Sequence, residues 1–183
     1  MRKVVAGLAM TLDGVVESPS PSNWMLFNDE MWEVIQAGIA QSDAILLGRR
    51  TYLEFAKLWP TQGSEVPMAD WMNDTPKYIA STTLEEPLEW NNSTLIKGNL
   101  AEELTKLKQQ SGKNIQVPGS PRLVRALLLD GLLDELALML HPIVVGSGLR
   151  LFDEVTHQVP LELADSRTLS TGVLSLTYRP ASA

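Results

Sequence analysis

Four consecutive apolar residues, Ala44-Ile45-Leu46-Leu47, stand between Asp43 and Gly48 with no polar residue among them. A strand with one wet face alternates apolar and polar side chains, whereas an unbroken run must be covered on both faces. Helices on both faces of a sheet provide that cover, so this run points to a layered α/β fold with parallel strands. The flanking sequence supplies the helices. Met31, Val34, Ile35 and Ile39 recur at helical spacing from Asn28 to Gln41, with Asn28 or Asp29 as the cap. A second helix is expected from near Arg50 to before Pro60, and Leu100, Leu104 and Leu107 mark a third. Ser120-Pro121 opens a fourth that runs through Leu129. Between them, Val4 to Met10, Tyr78 to Ala80, Thr94 to Ile96, Ile115 to Val117 and Leu136 to Val145 read as strands. Leu161 to Leu169 and Val173 to Tyr178 flank Thr171-Gly172 and predict a closing hairpin. Ser18 to Asn23 reads as a loop, and residues 60–76 as a long excursion. The expectation is a mostly parallel sheet with an antiparallel C-terminal hairpin.

The chain has 183 residues, which suits a single domain spanning 1–183. Its 15 lysines and arginines face 22 aspartates and glutamates, a net charge of −7. That balance argues against non-specific nucleic-acid or anionic-membrane binding, which needs a basic field. There is no cysteine, hence no disulfide, thiol nucleophile or thiolate metal site. Two histidines, His141 and His157, are too few for a histidine-based zinc enzyme, and no metal is expected. Arg2-Lys3 before an apolar run could open a signal peptide, but Asp13 ends the run and no small-residue cleavage site follows. Leu123 to Leu140 is the nearest approach to a membrane span, and Arg125, Asp130, Asp134 and Glu135 interrupt it. A cytoplasmic home without membrane contact is expected.

Three strand-to-loop junctions carry the candidate chemistry, because open α/β sheets bind ligands beyond the carboxyl ends of their strands. Gly48-Arg49-Arg50-Thr51 would put two forked cations and a hydroxyl at a helix start, where free N–H groups favour an anion. A solvated basic helix start reads equally well. Ser81-Thr82-Thr83 places three hydroxyls directly after a strand, for a phosphate, a ribose or an ordinary turn. Pro118-Gly119-Ser120-Pro121 could cradle a pyrophosphate or simply begin a helix. Neither the Rossmann G-x-G-x-x-G fingerprint nor a P-loop occurs in the chain.

Other segments join these junctions in order and spacing: Thr11-Leu12-Asp13-Gly14, Leu46-Leu47-Gly48-Arg49-Arg50-Thr51-Tyr52, Gly131-Leu132-Leu133-Asp134-Glu135-Leu136, Pro142 to Gly148, and Leu151-Phe152. Through them the chain resembles the dihydrofolate-reductase-like superfamily. Its nearest likeness is to the C-terminal reductase domain of the bifunctional riboflavin-biosynthesis deaminase/reductase. The resemblance implies a three-layer αβα sandwich and an NADPH cofactor. It assigns Gly48, Arg49, Arg50, Thr51, Ser81 and Thr82 to the adenosine phosphates, and Gly119 and Ser120 to the pyrophosphate. An arginine there would offset the roughly two negative charges of the 2′-phosphate, and no acidic residue is expected to intervene. Gly146 and Gly148, around Ser147, read either as an approach to the nicotinamide side or as a flexible turn. Relatives carry two adjacent glycines joined by a cis peptide where this chain has Pro118-Gly119. Proline in the first place leaves that bond's cis cost unchanged, because the discount applies to the bond before proline. The resemblance also implies a homodimer through the sheet edge near the C-terminal strands, with Leu136 to Val145 and Val173 to Leu176 as its apolar surface.

Hydride transfer to a C=N or C=O bond leaves negative charge on nitrogen or oxygen, so a proton donor assists. Asp13, Asp29 and Glu30 are the candidates. Asp29 is the nearest match, because Asn23-Trp24 stands where dihydrofolate reductases carry a Leu-Pro-Trp segment before their acid. Asp29 could equally cap its helix, and Asp13 could shape its turn. Trp24 is a candidate substrate contact, with core filling or dimer contact as alternatives. Arg122, Arg125 and Arg150 are candidate cations for a substrate phosphate. The expected function is NADPH-dependent reduction of a small heterocycle, with 5-amino-6-(5-phosphoribosylamino)uracil as the leading substrate class. The alternatives are a dihydrofolate- or pteridine-type reductase, and a non-catalytic NADP-binding or interaction protein that retains the fold. A hydrolase is disfavoured, since no nucleophile elbow surrounds a serine.

Overall fold

The first strand, β1 (Val4–Thr11), is hydrogen-bonded on both sides to parallel neighbours. They are β6 (Asn114–Pro118) and β7 (Glu135–His141). The computed structural model describes residues 1–17 and 24–181, so the loop reading for Ser18 to Asn23 lies outside the described residues. From β1 and the short β2 (Val15–Glu17), the chain passes through α1 (Asp29–Ala40) to β3 (Ser42–Gly48). It continues through α2 (Arg49–Leu58) and α3 (Ala69–Asp74) to β4 (Lys77–Ala80) and β5 (Ser93–Ile96). It then returns through α4 (Leu100–Gln109) to β6, and through α5 (Pro121–Leu129) to β7. A two-residue β8 (Leu149–Arg150) precedes the closing hairpin of β9 (Leu161–Thr168) and β10 (Leu174–Pro180).

The main sheet has eight strands in the order β5-β4-β3-β6-β1-β7-β10-β9, with β10 antiparallel to both its neighbours and the other seven strands running in one direction. Parallel crossovers are right-handed, so their direction along the sheet decides the face their helix occupies. The crossovers from β1 to β3 and from β3 to β4 run one way; those from β5 to β6 and from β6 to β7 run the other. Accordingly, α4 and α5 bury Leu104, Leu107, Val124 and Leu127 against Ala44, Leu46 and Ile115 on one face. On the other face, Ile45, Leu47 and Ile79 pack under Tyr52 of α2 and Met72 of α3. The Ala44 to Leu47 run is buried on both faces, as its lack of alternation requires. This arrangement is the mostly parallel α/β sandwich expected from the sequence.

Several expectations change in detail. Asn28, not Asp29, caps α1, its Oδ1 accepting from the Met31 N–H at 2.9 Å. The 60–76 excursion contains α3, and a 3₁₀ turn spans Trp59–Thr61. The strand expected to reach Val145 ends at His141, because Pro142 has no N–H to continue the ladder, and Ile143 and Val144 are exposed. β2 and β8 pair antiparallel as a separate two-stranded sheet, too short for any periodic signal. The segments expected to supply a dimer surface are exposed only in part, Ile143 and Val144 being open to solvent. Leu136, Leu138 and Val173 are buried inside the protein, and the sheet edge is the polar, exposed β9.

One buried cation fixes α3, which carries residues of the groove described below. Lys77 is fully buried, and its ammonium donates to the carbonyls of Met72, Asn73 and Thr75 at 2.8–2.9 Å. These carbonyls lie at the C-terminal end of α3, where intrahelical partners run out. The ammonium also lies 4.5 Å from the Trp90 ring centroid. Burial pushes its pKa down to about 8, with the charge of Asp74 opposing that shift. In Lys77→Met, these carbonyls lose their shared donor, and the expected loss of stability is about 3 kcal/mol. Urea denaturation of the two proteins measures it.

Candidate active site

The carboxyl ends of β3 and β6 bring two helix N-termini together. Gly48 ends β3 and caps α2 without a side-chain hydrogen bond, leaving the first-turn N–H groups open to a ligand. Ser120 caps α5 in a left-handed conformation (φ 57°) directly after Gly119 (φ 73°). Its buried hydroxyl accepts from the Gly48 N–H at 3.1 Å, tying the two strand ends together. A pocket of about 300 Å³ opens there, lined by Gly48, Arg49, Arg50, Thr51 and Ser120, with Arg122 across from them. The expectation that no acidic residue intervenes is corrected. Glu17 of β2 and Glu54 of α2 both line this pocket and both pair with Arg50, Glu54 at 3.2 Å. Glu54 sits one turn along α2, but Glu17 arrives on a strand that the sequence pattern does not reveal. Arg49 forms no ion pair among the described residues.

The other nominated cofactor residues lie outside the lining of this pocket. The Ser81 hydroxyl accepts from the N–H groups of Thr83 and Leu84 in a turn, at 3.2 and 3.1 Å, and Thr82 is exposed. At Gly119, a Cβ would contact the Thr51 methyl at 3.8 Å, and the positive φ favours glycine. The Pro118–Gly119 peptide is trans, the cis bond among the described residues being Glu86–Pro87. Gly146 donates its N–H to Asp13 at 2.9 Å. A Cβ on Gly148 would fall 2.5 Å from the Glu17 carbonyl oxygen, so glycine lets β8 pack against β2.

A second cavity, about 450 Å³, lies between α1 and the sheet. Its floor includes Gly7, Ala9, Gln116 and Pro118, and Met31 and Ile35 of α1 overhang it. Met25, Phe27 and Trp71 also line it. The small residues of β1 create the depth. A Cβ on Gly7 would lie 2.9 Å from the Gln116 amide nitrogen, so Gly7 makes room for that amide. The Gln116 oxygen accepts from the Ser42 hydroxyl at 3.4 Å. Pro118 lines the groove and Ser120 lines the anion pocket, so Pro118-Gly119-Ser120 is the wall between them. Sequence reasoning missed Gln116, whose one signal is a polar residue between the apolar Ile115 and Val117.

The nominated acids and Trp24 lie outside the groove lining. Asp13 accepts from the Thr11 hydroxyl at 2.6 Å and from the N–H groups of Val145 and Gly146. These bonds, the Thr11 hydroxyl foremost, hold its pKa at about 2, a value suited to an anchor rather than a proton donor at neutral pH. Glu30 accepts from Ser170, whose hydroxyl and backbone N–H lower its pKa, with Asn28 and Arg167 adding to the effect. Asp29 is exposed. Trp24 is buried edge-on against His141, with ring centroids 5.2 Å apart. His141, also buried, accepts the Leu26 N–H on Nδ1 at 3.2 Å, and desolvation lowers its pKa. Of the candidate substrate-phosphate cations, Arg122 lines the anion pocket. Arg125 is buried against Asp153 and Glu154, and Arg150 donates to the carbonyls of Asp13 and Gly146.

Comparison with known proteins agrees with this fold. The family model for the RibD C-terminal domain matches residues 2–175. The uncharacterized protein YyaP of Bacillus subtilis (strain 168) is 31% identical over 181 residues, covering 97% of this chain and 94% of its own. A putative riboflavin biosynthesis protein from Shewanella sp. PV-4 superposes with a TM-score of 0.74 at 20% identity, covering 98% of this chain and 99% of its own. The Thermotoga maritima diaminohydroxyphosphoribosylaminopyrimidine deaminase/5-amino-6-(5-phosphoribosylamino)uracil reductase gives 0.68 at 16% identity, covering 98% of this chain and 57% of that one. Dihydrofolate reductase from Enterococcus faecalis, complexed with NADP(H), gives 0.64 at 13% identity over 98% and 97% of the two chains.

The lowered pKa of Asp13 has a definite pH signature. The carboxylate is favoured in the folded state, so its contribution to stability is complete above the ordinary value of 3.8 and is lost as pH falls toward about 2. Asp13→Asn is therefore expected to melt below the parent protein at neutral pH. The gap should narrow across that acidic window, as thermal denaturation at a series of pH values would record.

Proposed function

The chain belongs to the RibD C-terminal domain family, and on that premise we propose that it is an NADPH-dependent reductase of a small, flat heterocycle. The observation that carries the reading is the shared wall, Pro118-Gly119-Ser120, between a cationic pocket at two helix starts and an apolar groove. A dinucleotide cofactor requires that pairing: phosphates held by fixed dipoles and cations, and a ring presented beside an apolar slot. The donor set fits such a cofactor. Arg49 and Arg122, the open first-turn N–H groups of α2 and the Thr51 hydroxyl suit phosphate oxygens. Gly119 would give the backbone close approach, and Ser81 and Thr82, at the end of β4, would extend the site toward the adenosine.

When bound, NADPH supplies the hydride. The protein's share is orientation and electrostatics. Met31, Ile35 and Phe27 would clamp a flat ring and exclude water, and Gln116 offers both a donor and an acceptor to a ring edge. A pyrimidine of the 5-amino-6-(5-phosphoribosylamino)uracil type is the proposed substrate class, in line with the reductase named for the Thermotoga relative. Arg122 is the candidate partner for its phosphate. One observation favours a second reading, NADP binding without turnover: the acids nominated as proton donors do not line the groove. Loss of NADPH absorbance on addition of the pyrimidine separates the two, since a binding protein leaves it unchanged. The reading places the protein in the cytoplasm as a homodimer. Light scattering at twice the monomer mass would support the dimer, and the monomer mass would exclude it.

Cofactor preference tests the pocket directly. Arg49→Ala is expected to weaken NADPH binding about ten- to a hundredfold, the worth of one charge-assisted contact. NADH lacks the 2′-phosphate, so its dissociation constant should stay within twofold or so of the parent value. Equal losses for both cofactors would remove Arg49 from phosphate recognition.

A further inference from the structure

Among the described residues, Arg50 is the cation of the anion pocket that has anionic partners, and they come from two elements. Glu54 lies one turn along the same helix and moves with Arg50. Glu17 reaches it from β2, a different element that also lines the pocket. The position of Glu17 is built. Its backbone pairs with Leu149, itself a pocket residue, and Gly148 packs against its carbonyl more closely than any side chain would allow. The side chain, in contrast, is 37% exposed, so its carboxylate can turn to water while the backbone stays in place.

We propose that Glu17 is a built-in competitor of the cofactor phosphate for Arg50, and that it sets the affinity of the anion pocket. The inference rests on the cofactor reading above and assigns a residue that reading does not use. Three arginines line the pocket against two carboxylates, Glu17 and Glu54, a surplus of one positive charge facing a phosphate that carries about two negative charges. Binding therefore exchanges the Glu17–Arg50 pair for a phosphate–Arg50 pair, and the carboxylate left beside the phosphate opposes it. Removing the Glu17 charge should raise affinity, and the gain should depend on Arg50. The same ion pair also keeps Arg50 from attracting unrelated anions when the cofactor is absent, so the arrangement favours a multiply charged ligand over a singly charged one.

Calorimetric titration of the full chain with NADPH, and separately with 2′,5′-ADP, tests this. Glu17→Gln is expected to tighten both about three- to tenfold at low salt, the scale of an exposed ion pair, with less gain at high salt. The gain should vanish in the Glu17→Gln/Arg50→Ala double variant when compared with Arg50→Ala alone. Glu17→Ala gives a second measure should the amide find a new partner. Unchanged or weaker binding in both Glu17 variants, or a gain that persists without Arg50, overturns the competitor role while leaving the cofactor reading intact. Absence of binding by every ligand to every protein, with melting curves showing all of them folded, overturns the cofactor reading and the competitor role together.

Discussion

The site depends on one topological constraint, the insertion of β6 between β3 and β1. The chain leaves β1, builds outward through β3, β4 and β5, and then comes back to fill the gap. Reversing direction while every crossover stays right-handed sends later helices to the opposite face. The loops leaving β3 and β6 therefore diverge, α2 to one side and α5 to the other, and the crevice between them cannot be closed by either helix. The Ser120 hydroxyl bridging to the Gly48 N–H fixes the width of that crevice.

Polar groups around the crevice are disposed differently from those elsewhere in the fold. Lys77 supplies donors to a buried helix end, and Asp13 supplies acceptors to the Val145-Gly146 turn. Arg125 and Arg150 likewise hold the loops that follow β7. At the start of α2 no side chain caps the helix, and Arg49 has no ionic partner among the described residues. Asn28 and Asn99 cap α1 and α4 with their side chains, whereas the start of α2, at the pocket, is left ready for an external anion.

The sheet was legible because its strongest signals are local. The unbroken Ala44 to Leu47 run, the Ser120-Pro121 helix start and the Thr171-Gly172 turn each specify a conformation without distant partners. The β2–β8 pair was not legible, since strands of three and two residues have no period to read and exist only through pairing between distant residues, Val15 with Arg150 and Glu17 with Leu149. That gap concealed Glu17, and with it the charge balance of the pocket. The groove was hidden for a related reason. Gln116 is an unremarkable letter in a strand until parallel pairing sets it beside Gly7, where the absent side chain leaves space for its amide.

The displacement of the acids from the groove follows from where α1 begins. Asn28 caps the helix, so Asp29 and Glu30 fall in its first turn, where carboxylates are favoured by the dipole. At about 100° per residue, Met31 lies roughly 200° around the axis from Asp29. With Met31 and Ile35 turned toward the sheet, Asp29 is turned toward solvent. Glu30 is rotated to the β9–β10 turn, where Ser170 holds it. The helix phase thus gives the groove a thioether where an acid was expected. Gln116 and Ser42 give the groove hydrogen-bonding groups that do not ionise, and Glu135 and Asp165 line it as well. The charged residues lining the groove are these carboxylates, on β7 and β9, whereas the arginines line the pocket on the far side of the Pro118-Gly119-Ser120 wall.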